Sequence, residues 1–171
     1  MKWAAFLLAT VATVAGAVAA SGPASPDADQ APASGIKIPA GYRDWKLISV
    51  AHEEGSLNDI RAILGNDLAV NAYRHEALPF PDGAIIARLA WTYVPSEEND
   101  KIFGRSQSFV AGSVTNVQFM VKDSRKYAAT GGWGFAQFTG GKPADEALLR
   151  TCFPCHAPAK ARDFVFTHYA P

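Results

Sequence analysis

The chain has 171 residues, 49% of them apolar, with 16 basic and 16 acidic side chains, the composition of an ordinary globular protein long enough to bury one core. A formal net charge of zero gives no electrostatic footprint for nucleic acid or for an anionic membrane surface, and no nucleic-acid partner is expected. Two cysteines in the whole chain exclude a disulfide-stapled scaffold.

In chain order, Lys2, an apolar run from Trp3 to Val14 and the small residues Ala17, Val18, Ala19 and Ala20 read as a secretory signal peptide cleaved near Ala20. Thr10, Thr13 and Gly16 dilute the run, which is short for a membrane span. Residues 21–35 contain Pro, Ala, Ser, Gly and acidic residues but nothing large and apolar, so a flexible tether is expected there. The folded domain is expected over residues 36–171.

Within it, segments of alternating character between turn signals predict an antiparallel sheet with a few helices, an α+β fold. Trp45 to Ala51 is the first strand candidate, and Ile60 to Leu64 is apolar but short. Asn66 offers an N-cap for a helix through about Glu76, which Pro79, Pro81, Asp82 and Gly83 terminate. Ala84 to Val94 is the clearest strand. Ile85, Ala87, Leu89, Trp91 and Tyr93 line one face and Ile86, Arg88, Ala90, Thr92 and Val94 the other, so a central position is expected. Ser96 to Lys101 reads as a polar loop, Thr115 to Lys122 as a strand, and Trp133 to Phe138 as a strand closed by Gly140 and Gly141. Pro143 is placed to open a C-terminal helix, followed by Ala144 to Thr151, that delivers the one motif carrying chemistry.

That motif is Cys152-Phe153-Pro154-Cys155-His156, the C-x-x-C-H pattern of covalent haem c attachment. On a helical turn, residues i, i+3 and i+4 project to one side, so two thiols reach the two vinyl groups while the imidazole reaches the iron. A thioredoxin-like disulfide needs a βαβ context, and a zinc site needs further ligands; the chain offers neither. Pro154 is expected to break or tighten the helix inside the motif. Only 15 residues follow His156, whereas an ordinary electron-transfer cytochrome c carries the motif near its N-terminus and a distal methionine later. Met120, His52, His75 and His168 are the sixth-ligand candidates; an open distal face that binds a small molecule is preferred.

The C-terminal motif, the F-P-D-G turn leading into I-I-A-R-L-A-W, the V-Q-F-M-V-K-D strand and the G-G-W-G-F segment together resemble the cytochrome P-460 family over nearly all of the mature domain. The resemblance implies a periplasmic homodimer with one covalently attached haem c. Cys152 and Cys155 would be its thioether residues and His156 the proximal iron ligand. It further implies either hydroxylamine oxidation, as in cytochromes P-460, or binding of nitric oxide or carbon monoxide, as in cytochromes c-prime-beta. A soluble electron-transfer partner goes with either activity, and a simple electron carrier is the remaining alternative.

Enzymatic members join a lysine to the macrocycle, and this sequence departs from them by placing Arg88 in the strand where that lysine is expected. A guanidinium stays protonated and is a poor nucleophile. Lys101 and Lys122 are the nearest remaining lysines, and Arg88 is instead a candidate partner for a haem propionate. Phe135 and Gln137, sharing a face with Trp133, are the candidate distal-pocket residues.

Overall fold

The structure, a computed structural model, describes residues 34–170. The expected signal peptide and nearly all of the expected tether lie outside the described residues. Six strands form one antiparallel sheet in the order β1-β2-β3-β4-β5-β6, each beside its sequence neighbour. They are β1 (Lys46–Glu53), β2 (Asp59–Gly65), β3 (Ile85–Pro95), β4 (Phe109–Lys122), β5 (Trp133–Thr139) and β6 (Lys142–Pro143). Helices α1 (Asp67–Arg74), α2 (Glu97–Phe103), α3 (Glu146–Arg150) and α4 (Cys152–His156) complete the α+β fold.

Strand β3 lies between β2 and β4 and is apolar on both faces, so the sheet has two cores. One contains Ile48, Ile63, Ile86 and Trp133 with Val70 of α1, Phe80 and Val165; the other contains Leu64, Ala87, Leu89, Phe119 and Phe138 with Ile36. The alternation expected along β3 holds. A bulge in β1 opposes Leu47 to Leu64 and Ser49 to Ile63, so Ile48 is an extra residue and turns fully into the first core. Gly65 opens that space: a Cβ there would lie 2.6 Å from Ile48 Cδ1.

Three expectations are corrected. Ser96 to Lys101 is not a loop but the first part of α2, because the Ser96 hydroxyl caps the Asn99 N–H and Glu97, Glu98 and Asp100 fill the first turn. Pro143 does not open a helix. It pairs with Phe138 in β6, and α3 begins after Asp145, whose carboxylate accepts from Leu148 N–H at 2.8 Å. Strand β4 starts at Phe109, not Thr115, pairing Ala111 with Tyr93 across irregular register. Gly112 and Ser113 interrupt the apolar alternation there and conceal the strand from a periodicity argument.

Asn66 does cap α1, and it does more. Its Oδ1 accepts from Ala69 N–H and Ile85 N–H, both at 3.0 Å, and its Nδ2 donates to the Gly83 carbonyl at 2.8 Å. One side chain thus joins the helix start to the start of the central strand. Asn66→Ala should lower stability by about 1–2 kcal/mol, read as a lower urea midpoint with an unchanged slope.

Candidate functional site

Helix α3 ends at Arg150 and α4 begins at Cys152, with Thr151 between them, its hydroxyl donating to the Leu148 carbonyl at 2.7 Å. The C-x-x-C-H segment is itself α-helical, so the expected break or tightening does not fall inside it, and the chain tightens to a 3-10 turn only from Ala157. Pro154 sits in the first turn of α4, where a missing N–H removes no intrahelical bond. Cys152 is half-buried, Cys155 is exposed, and both are free thiols. Burial, then the neighbouring Cys155, raises the Cys152 thiol above its ordinary value and keeps it protonated.

After α4 a 3-10 stretch over Ala157–Arg162 leads to Asp163 and Phe164, both with left-handed backbone. This turn brings the Phe164 carbonyl 2.8 Å from His156 Nδ1. A carbonyl only accepts, so Nδ1 carries the proton and Nε2 presents a lone pair. Burial pushes the His156 pKa down, opposed by the Phe164 bond, so the ring is held in the neutral form that a metal requires. The imidazole packs against two phenyl rings, with centroids 5.0 Å from Phe135 and 4.7 Å from Phe166, and Phe153 packs on Phe164 at 5.4 Å.

Arg88 faces the same side of the sheet. Residues Ile86, Met120 and Phe135 form one cross-strand row, and Arg88, Gln118 and Gln137 form the next. The Arg88 guanidinium donates to Asp59 at 2.5 Å and to Asn116 Oδ1 at 2.9 Å. Arg61 lies against the other Asp59 oxygen at 2.7 Å and reaches Glu53 at 3.4 Å. Two arginines therefore share one buried carboxylate, Asp59 being 3% exposed. Burial, and then the Arg61 charge, pull Arg88 below the usual guanidinium value. Among the described residues its buried Nε has no hydrogen-bond partner.

The family model for Cytochrome P460 matches residues 39–167. The chain belongs to the cytochrome P460 family. It is a c-type cytochrome of that family, and haem is the cofactor the family implies. A comparison with curated proteins returned no match.

The residues of this cytochrome suit a haem. Two free thiols and a neutral imidazole share one helical turn, and the apolar Leu148 and Phe166, 42% and 45% exposed, offer surface beside them. Arg88 Nε is a buried donor available to an anionic group. An open cavity of about 480 Å³ lies elsewhere, lined by Pro79, Phe80, Lys122, Gly131 and Asp163 among others, with no residue of the motif.

The other candidates fall as follows. Phe135 touches the His156 ring, and Gln137 accepts from Gln118 Nε2 at 2.6 Å. Met120 packs against the first core. His52 stacks on Tyr93, His75 is bonded to the Asn71 carbonyl, and His168 contacts Arg162. Lys122 is buried and bonded to Asp163, while Lys101 is exposed on α2.

Asp59, Arg61, Asn116, Phe164 and Phe166 escaped the sequence reading. Asp59 and Arg61 alternate on one face of a strand too short to be read, so their pattern was the signal; the Phe164 carbonyl left none. Asp59→Asn should destabilise this cytochrome by about 3–5 kcal/mol, because two guanidiniums lose their shared counter-charge. Chemical unfolding should then show that adding Arg88→Met to Asp59→Asn recovers part of that loss.

Proposed function

We propose that this cytochrome carries a single haem c joined by thioethers to Cys152 and Cys155, with His156 Nε2 on the iron, and binds small nitrogen species such as nitric oxide or hydroxylamine on the opposite face. The observation that carries the reading is the His156 Nδ1–H bond to the Phe164 carbonyl at 2.8 Å beside two free thiols, an arrangement that leaves Nε2 free for a metal. Bound there, haem would supply a redox-active iron able to take up a small ligand. The chain's own residues orient and shield it. Phe135 and Phe166 hold the imidazole plane, and Arg88 Nε is the donor proposed for a haem propionate.

Binding without turnover is favoured over hydroxylamine oxidation by the state of the candidate cross-linking residues. Arg88 is a guanidinium tied to Asp59 and Asn116, the Lys122 ammonium is tied to Asp163, and Lys101, the remaining candidate, stands exposed on α2 rather than in the strand where the cross-link is expected. Phe135 packs on the His156 ring and so belongs to the proposed proximal side, which leaves Gln137, bonded to Gln118, as the proposed lining of the ligand pocket. The N-terminal pattern of Lys2 and an apolar run supports export, hence a periplasmic site of action, and the homodimer and a soluble electron-transfer partner are proposed with it.

The test is expression with haem-maturation machinery, mass analysis of the haem peptide and gas titration of the ferrous protein. One haem should be found on the peptide containing Cys152 and Cys155, with none retained under denaturing conditions in Cys152→Ser/Cys155→Ser. Nitric oxide should shift the ferrous absorption spectrum, and hydroxylamine should not drive steady reduction of an added acceptor. A second peptide on the haem together with such turnover would restore the oxidising enzyme, and a chain of apoprotein mass would remove the haem c reading altogether.

A further inference from the structure

Lys122, the last residue of β4, is 5% exposed, and all three of its ammonium donors are used. Nζ lies 2.8 Å from both carboxylate oxygens of Asp163 and 3.1 Å from the Gly131 carbonyl, over the face of Trp133. Asp163 is held at two further points. Its Oδ2 accepts from Phe80 N–H at 2.9 Å, and its carbonyl accepts from Trp133 Nε1–H at 2.8 Å.

These contacts fix an unfavourable backbone. Asp163 and Phe164 have φ of 50° and 64°, and consecutive left-handed residues other than glycine persist only where their surroundings hold them. The turn they make is what aims the Phe164 carbonyl at His156 Nδ1. Gly131 completes the arrangement, because a Cβ there would fall 2.1 Å from the Phe164 ring.

We infer that Lys122 is a positioning residue for the proximal ligand. Through Asp163 it holds the Phe164 carbonyl against His156 Nδ1–H and so sets how strongly the imidazole donates to the iron. The inference rests on the proposal that His156 ligates haem iron. A firm Nδ1–H bond to a carbonyl raises ligand basicity and favours the ferric state. Loosening the 163–164 turn should therefore raise the reduction potential and lower the ferrous iron–histidine stretching frequency.

The test uses haem-loaded Asp163→Asn and Lys122→Met, with the double variant Lys122→Met/Asp163→Asn, which leaves no unpaired buried charge and is the form expected to fold. Val70→Ala, a fully buried position in the same core, serves as a control matched in thermal midpoint. The double variant should favour the ferrous state by up to tenfold, about 59 mV for a one-electron couple, and its iron–histidine frequency should fall. The control should move neither. Unchanged potential and frequency in the double variant, an equal change in Val70→Ala, or failure of the double variant to take up haem would each overturn the inference, since a positioning role leaves attachment at Cys152 and Cys155 intact. Haem-peptide mass on the unmodified protein tests the haem reading separately, so the two failures are distinguishable.

Discussion

The buried ion pair between Lys122 and Asp163 is the constraint around which this fold closes. Removing two charges from water carries a penalty of several kcal/mol per ion, offset only if every donor and lone pair finds a partner. Here the ammonium is saturated by a carboxylate and a carbonyl, and the carboxylate also takes the Phe80 N–H. Those partners come from β4, the segment before β3, the turn before β5 and the chain's last stretch. Four parts of the sequence are fixed to one point, and Trp133, buried completely, packs against it. The C-terminal segment, which has little regular structure to anchor it, is thereby held against a rigid sheet.

A second charged cluster, Asp59 with Arg61 and Arg88, lies on the same face of the sheet but is built differently. In the first cluster one cation meets one anion and the group closes. In the second, two guanidiniums meet one buried carboxylate, with Glu53 half-exposed at the margin. The charges balance only through Glu53 at the margin, and Arg88 Nε is unsatisfied, which is why it is the donor proposed for an anionic group. The closed cluster does structural work, while the open one sits on the face that carries Phe135 and, against it, His156.

Much of this was legible in the residues, for identifiable reasons. The two apolar faces of β3 announced a central strand because period-two alternation from Ile85 to Tyr93 has no competing helical phase. Asn66 announced a helix start because its side chain can satisfy an N–H that the helix leaves open. The C-x-x-C-H spacing announced a helical turn, because residues i, i+3 and i+4 project to one side of it. What stayed hidden depended on distant partners. Ser96 to Lys101 looked like a loop because its helix has no buried face and rests on capping and charge alone. Lys122, at a strand end, gave no sign of an ion pair because its partner lies 41 residues away. The Phe164 carbonyl could not be read at all, since a backbone atom takes its role from conformation rather than identity.

These hidden contacts explain how a short helical motif becomes a defined site. A C-x-x-C-H turn alone leaves its imidazole free to rotate and to protonate. In this cytochrome the ring packs against Phe135 of the sheet and Phe166 of the C-terminal segment, and its Nδ1 proton is held by a carbonyl whose own direction is set by strained residues. The strain is sustained by the Lys122–Asp163 ion pair, whose restraint reaches the imidazole through the backbone of Asp163 and Phe164. The imidazole therefore sits in aromatic surroundings with a neutral hydrogen-bond acceptor, and the charged groups stay one step removed. The proposed attachment needs only five consecutive residues, but the orientation and protonation of the imidazole are set by the sheet and the segments packed on it.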